Sequence, residues 1–111
     1  MATICPTVTA YDLPGFNKQL ERAASFAQRV HLDFMDGIFA PTKSPSLKDV
    51  NVPQHLVVDL HIMYRHALSE LEIIERLRPH LVIVHAESKG DFLLFAQRMR
   101  AAGIKTGVAL L

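Results

Sequence analysis

The chain contains no tryptophan, a single cysteine, two tyrosines and five glycines among 111 residues. One cysteine, Cys5, excludes an internal disulfide framework and a cysteine-rich zinc site. It fits a reducing, cytoplasmic compartment. No charge of one sign dominates: residues 1–55 carry five Lys/Arg and five Asp/Glu, residues 56–111 carry seven and six, and the net charge is +1. Without a basic face or an acidic tail, neither a nucleic-acid nor a membrane-surface partner is expected. The longest unbroken apolar run, Phe92 to Ala96, is too short for a membrane span. Residues 1–12 lack the basic start and apolar stretch of a secretory signal. Also missing are a G-x-G-x-x-G turn, a P-loop and a G-x-S-x-G elbow. What is present is 50% hydrophobic and 21% charged, the balance of one globular domain. Six histidines are the unusual count.

Short apolar runs begin near Thr3, Arg29, Leu56, Leu81 and Lys105, at steps of 26, 27, 25 and 24 residues. They are mostly rich in β-branched residues and read as buried strands. Cys5 falls in the first of them and is expected to pack in the core rather than act as a nucleophile. Helical patterns lie between the runs. Leu13, Phe16, Leu20, Ala23, Ala24 and Ala27 follow Asp12 as N-cap, with Pro14 in the first turn, where its missing N–H costs little. Leu68, Leu71, Ile74 and Leu77 form a second stripe before Pro79. Phe92, Phe95, Ala96, Met99 and Ala102 form a third, opened by Asp91 and closed by Gly103. Strand–helix alternation at this spacing predicts βαβ units and a parallel sheet with right-handed crossovers. The stretch from Asp36 to Gln54 breaks the pattern and is expected to be a long loop with a short helix around Ser46 to Val50.

Strand side chains alternate faces. His31, Asp33 and Met35 share one face, opposite Leu32 and Phe34. Asp59, His61 and Met63 share another, opposite Leu60 and Ile62. His85 and Glu87 follow Leu81 and Ile83. Three successive strands therefore begin apolar and turn polar at their carboxyl ends, where parallel α/β folds bind ligands. His31, Asp33 and His61 suit a divalent transition metal, since an H-x-D pair points both groups the same way and a histidine on the next strand completes a set of three. The pattern leaves a second reading open, in which these are hydrogen-bonded structural residues. Asp36 precedes Gly37 and can shape a turn. Asp59 sits deeper in its strand and can support a neighbouring ligand. His55, His66 and His80 fall in loops or at helix edges and are expected to be solvated.

These residues carry a resemblance. Val30-His31-Leu32-Asp33-Phe34-Met35-Asp36-Gly37, followed by Phe39-Ala40-Pro41, resembles the H-x-D-x-M-D-G-x-F-x-P signature of the ribulose-phosphate 3-epimerase family. Asp59-Leu60-His61-Ile62-Met63 resembles its D-x-H-L-M strand, Val84-His85-Ala86-Glu87 its H-x-E strand, and Ile4-Cys5-Pro6-Thr7-Val8 its first strand. The resemblance implies a TIM barrel that interconverts D-ribulose 5-phosphate and D-xylulose 5-phosphate in the pentose phosphate pathway. It implies that His31, Asp33 and His61 bind one divalent metal ion (Zn, Fe, Mn or Co). It further implies that Asp33 is one of two acid/base carboxylates. Thr7 stands where a substrate-contacting serine usually stands, Met35 and Met63 help wall the reaction plane, and Asp36, Asp59 and His85 support the site. Epimerisation beside a ketone removes a proton on one face and returns it on the other, through an enediolate whose charge a divalent cation can neutralise. Ile38 stands where the family often has histidine, and the loop Thr42-Lys43-Ser44-Pro45-Ser46-Leu47 departs from the usual asparagine-containing segment. These departures bear on substrate preference more than on the metal site.

A full barrel needs eight βα units and roughly 250 residues. About four and a half are present here, so residues 1–111 are expected to be the N-terminal portion of a single barrel domain, inactive alone, with the second carboxylate and the phosphate-binding loops elsewhere. The protein is expected to bind a sugar phosphate and to form a homo-oligomer. The alternatives are a self-associating half-barrel without catalysis, and an epimerase for a related ketose phosphate such as allulose 6-phosphate. Barrel enzymes that use a D-x-K-x-x-D pattern fit poorly, because the lysine slots hold Met35 and His61.

Overall fold

A computed structural model of the chain describes residues 4–39 and 41–110. Its elements in order are β1 (Thr7–Val8), α1 (Leu13–Ala24), β2 (Arg29–Met35), a 3-10 turn (Leu47–Asp49), β3 (Val57–Met63), a second 3-10 turn (Ala67–Ser69), α2 (Leu71–Leu77), β4 (Leu81–His85), α3 (Phe92–Ala101) and β5 (Lys105–Ala109). The five strands form one sheet in sequential order, and every neighbouring pair is parallel. The fold is α/β, of the type that closes into a TIM barrel when the alternation continues.

The helices start where side chains satisfy the free amides of the first turn. Asp12 accepts from the Gly15 N–H at 2.6 Å, and Asp91 accepts from the Leu94 N–H at 3.1 Å. Gly103, at φ 78°, takes the left-handed conformation that turns the chain from α3 toward β5. The second helical stripe is divided. Leu68 lies in the 3-10 turn, because Glu70 (φ −94°, ψ 24°) departs from helical geometry before α2 begins. Arg78 ends α2 at φ 50°, ψ 54°, since Pro79 excludes the right-handed helical region for the residue before it.

The first strand is shorter than its apolar run. Thr3 lies outside the described residues, and Ile4 to Pro6 form no strand. Cys5 corrects the expectation of a core strand, because it is exposed. Pro6 has no N–H to give a ladder, although its carbonyl still accepts from the His31 N–H at 2.9 Å. The long loop falls as expected, with its 3-10 turn inside the predicted short helix. Leu47 from that turn is fully buried and anchors the loop in the core.

The core lies between the sheet and its helices. Val30, Leu32 and Phe34 of β2, Leu60 and Ile62 of β3, and Val82 and Val84 of β4 cluster with Phe16 and Leu20 of α1, Ile74 of α2, and Phe95 and Met99 of α3. Each of these strand residues has no measurable exposure. The Phe16 and Phe34 rings pack 5.7 Å apart. Burying one such side chain contributes about 1.5–3 kcal/mol. The opposite face of the same strands carries the polar residues.

Candidate metal and active site

Register brings the polar residues together. Asp33 on β2 lies directly beside His61 on β3, His31 beside Asp59, and Met35 beside Met63. Thr7 on β1 is in register with His31. Parallel pairing without a slip therefore stacks the strand-end residues in rows across the sheet.

Asp33 is the centre of the cluster. Its Oδ1 lies 2.9 Å from His31 Nε2 and 3.3 Å from His61 Nδ1. Its Oδ2 accepts from the Thr9 hydroxyl at 2.9 Å. Burial on its own would raise the Asp33 pKa; the hydrogen bonds from His61 and Thr9 and the nearby imidazoles outweigh it and hold the carboxyl below the ordinary value. His31, Asp33 and His61 each offer one ligand atom, and these atoms lie within 4.8 Å of one another. The three side chains are partly open to solvent, at 26%, 18% and 22% exposure. Two imidazoles and one carboxylate, close together and reachable, are a donor set that fits a divalent transition metal.

His85 lies against this set. Its Nε2 is 3.0 Å from His61 Nε2, and the two rings stack at 5.1 Å. One of those nitrogens must donate and the other accept. With His61 Nδ1–H turned to Asp33, His85 Nε2–H is the donor; the buried His85 Nδ1 makes no hydrogen bond and faces Glu87 Oε1 at 3.9 Å. Burial, followed by the nearby His61, lowers the His85 pKa.

The remaining expected residues take distinct places. Asp36 shapes the turn with Gly37, which sits at φ 84°. Its Oδ1 accepts from the Ile38 N–H at 2.9 Å and its Oδ2 from the Arg65 N–H at 2.8 Å, tying the loop after β2 to the loop after β3. Asp59 pairs with Arg29, whose Nε and Nη2 reach Oδ2 at 2.9 and 2.8 Å, and not with a histidine. Met35 is buried beneath the loop, with its sulfur 3.3 Å from the Thr42 hydroxyl, while Met63 is half-buried. Thr7 is exposed. Outside the site, His55, His66 and His80 are solvated, as expected. Burial and the Asp59 charge push the Cys5 thiol up, away from a reactive thiolate.

Two contributors lie outside the expected site residues. Thr9 supplies the hydroxyl on Asp33; its one signal is that it lies two residues beyond Thr7, on the same strand parity. Phe39 folds back from the long loop to place its ring 6.0 Å from that of His85. Alternation cannot foresee this, because a loop has no fixed period.

The model of the family described as "Ribulose-phosphate 3 epimerase family" matches residues 3–111. A protein from Helicobacter pylori named ribulose-phosphate 3-epimerase is 28% identical over 110 residues, covering 96% of this chain and 50% of the relative. Proteins of the same name from Rhodobacter capsulatus and Treponema pallidum are 27% and 28% identical, covering 49% and 51% of their own lengths. The chain spans about half the length of the curated relatives it matches. With nearly all of its residues inside the match, the chain belongs to the ribulose-phosphate 3-epimerase family.

Proposed function

We propose that this member of the family carries the metal-binding part of an active site that epimerises a ketose phosphate at C3, interconverting D-ribulose 5-phosphate and D-xylulose 5-phosphate. The observation that carries this reading is the single Asp33 oxygen shared between His31 and His61. His31, Asp33 and His61 would hold one divalent ion, and their mixed nitrogen and oxygen donors suit Zn, Fe, Mn or Co. Such an ion supplies charge neutralisation for an oxygen that becomes negative during proton removal.

The chain's own groups account for the rest. Asp33 takes the C3 proton on one face and is the carboxylate that returns it in the reverse direction. Its lowered pKa keeps it ionised at neutral pH, as a proton acceptor must be. Met35 and Met63 are apolar neighbours at the row above Asp33 and would exclude water from the substrate carbon. Thr7 would contact the substrate at the edge of the site. Asp36 would hold the two loops in place, Asp59 would support β3 through Arg29, and His85 would hold the ring of His61.

Epimerisation needs a second carboxylate on the opposite face. Among the described residues, the cluster holds one. We assign the second carboxylate and the phosphate grip to sequence corresponding to the unmatched half of the relatives, so that residues 1–111 form the N-terminal portion of one barrel domain. The 111-residue chain alone should give no turnover. A cytoplasmic location suits a sugar-phosphate substrate, and no described helix is long and apolar enough to cross a membrane. A homo-oligomer would have the exposed Leu93 and Leu94 of α3 to cover, and light scattering would reveal it.

The test is solvent exchange. The complete protein, incubated with D-ribulose 5-phosphate in D2O, should incorporate deuterium at C3, and Asp33→Asn should lose about 100-fold or more of that rate. Exchange in Asp33→Asn at the parent rate would overturn the assignment, and exchange confined to another ketose phosphate would replace the substrate.

A further inference from the structure

Asp33 has two oxygens, and the structure gives them different surroundings. Oδ1 faces His31 and His61, while Oδ2 faces only the Thr9 hydroxyl among the hydrogen bonds it makes. A carboxylate only accepts, so the Thr9 proton must point at Oδ2. The last torsion of an aspartate is broad and nearly two-fold, and nothing intrinsic stops its oxygens from exchanging places. Thr9 breaks that symmetry.

Thr9 lies beyond the end of β1 at Val8, so the sheet ladder does not hold its backbone. The side chain of Gln19, from α1, holds it instead. The Thr9 N–H donates to Gln19 Oε1 at 3.2 Å, and Gln19 Nε2 donates to the Thr9 carbonyl at 3.0 Å. One primary amide thus satisfies both backbone groups of one residue, which fixes that residue's orientation relative to the helix.

We propose that Gln19 and Thr9 form an orienting clamp on Asp33. They are positioning residues: Gln19 sets Thr9, and Thr9 sets the carboxylate, with Oδ1 turned to the two histidines and Oδ2 turned to the β1 side. On the reading of Asp33 as both metal ligand and proton acceptor, on which this inference rests, the clamp assigns the two roles to different oxygens. Hydrogen bonds that orient a metal ligand are commonly worth 10–100-fold in metal affinity.

The experiment titrates the metal-free protein with Co2+ and follows the visible absorption of the bound ion. Thr9→Val keeps the shape and removes the hydroxyl; it should bind Co2+ about 10–100-fold more weakly, as should Gln19→Leu to a smaller degree. Thr9→Ser restores the donor and should return affinity to the parent value, which a merely structural role would not predict. If Thr9→Val binds like the parent while His31→Ala loses the ion, the clamp is wrong and the metal reading stands. If the parent protein itself takes no Co2+, the metal reading fails, and ring-nitrogen NMR of the metal-free protein decides the clamp. There Thr9→Val should shift the His31 and His61 nitrogens, Thr9→Ser should restore them, and His55, His66 and His80 should not move. Unshifted His31 and His61 signals in Thr9→Val would overturn the proposal.

Discussion

The two faces of the sheet are made by the same strands and differ by one residue of register. On the helix side, Leu32, Phe34, Leu60, Ile62, Val82 and Val84 are completely buried. On the other, His31, Asp33 and His61 keep between 18% and 26% of their side-chain surface. In β2, β3 and β4 the first face is apolar and holds the fold. The second is arranged in rows: an ion pair, Arg29 with Asp59, toward the amino ends, and the His–Asp–His cluster toward the carboxyl ends. Stability and chemistry are thus separated by strand parity, and a substitution should damage one while sparing the other.

Neighbours on β2 offer the sharpest break. Asp33→Asn should remove the C3 exchange described above almost entirely, yet change unfolding free energy by less than about 1 kcal/mol, since the amide oxygen can still accept. Phe34→Ala, one residue on, should do the reverse. Phe34 is fully buried and packs on Phe16, so its loss should cost about 3–5 kcal/mol, much of the stability of a small domain. Urea unfolding of both variants, read beside the exchange assay, tests the separation. Equal destabilisation by the two would show that the cluster is also a structural keystone.

That separation explains how much was legible in the sequence. Alternation is a rule of strands, so the histidines and Asp33 could be placed on one face from their spacing, and the parallel order followed from the strand–helix repeat. Capping chemistry located the starts of α1 and α3 through Asp12 and Asp91. What failed lay where a period stops. The first apolar run was a poor guide because Pro6 has no N–H to give, so Cys5 falls outside the strand. Leu68 keeps helical spacing with Leu71 and Ile74, yet Glu70 breaks the helix between them. Thr9 and Phe39 reach the cluster from beyond strand ends, where only the folded backbone decides direction. Asp59 met an arginine because Arg29, two residues before His31, shares its face and reaches it diagonally; charge complementarity on that face was the available clue.

The Arg29–Asp59 pair tests whether the polar face contributes to stability at all. The Asp59 side chain is 7% exposed, while Arg29 is 37% exposed and screened by solvent. Asp59→Asn should therefore cost about 1–3 kcal/mol, set mainly by the loss of a charge-assisted hydrogen bond at a buried acceptor. Arg29→Met should cost a similar amount because it leaves the buried carboxylate alone. The double variant should recover part of the loss, which a double-mutant cycle would measure. Strict additivity would mean that the pair is not coupled.

The smallest expected effect concerns pH and falls on the histidine stacked against the cluster. His85 has a folded pKa below its ordinary 6.5, because it is buried and stacked on His61. Between the folded value and 6.5, the unfolded chain binds a proton there that the folded chain refuses, so the unfolded state gains as pH falls. The contribution of His85 is complete above pH 6.5 and is lost as pH drops through the folded value. Asp33 acts in the same direction but lower, below its ordinary 3.8, so the two windows do not overlap near neutrality. In the metal-free protein, the melting temperature should fall between pH 7.5 and pH 5.5, and His85→Gln, which cannot titrate, should flatten that slope. The fully buried apolar face has no group to titrate, so Ile62→Val should lower the melting temperature equally at both pH values. A His85→Gln slope matching the parent would assign the pH dependence to another histidine, and the two faces would then differ in chemistry but not in their response to protons.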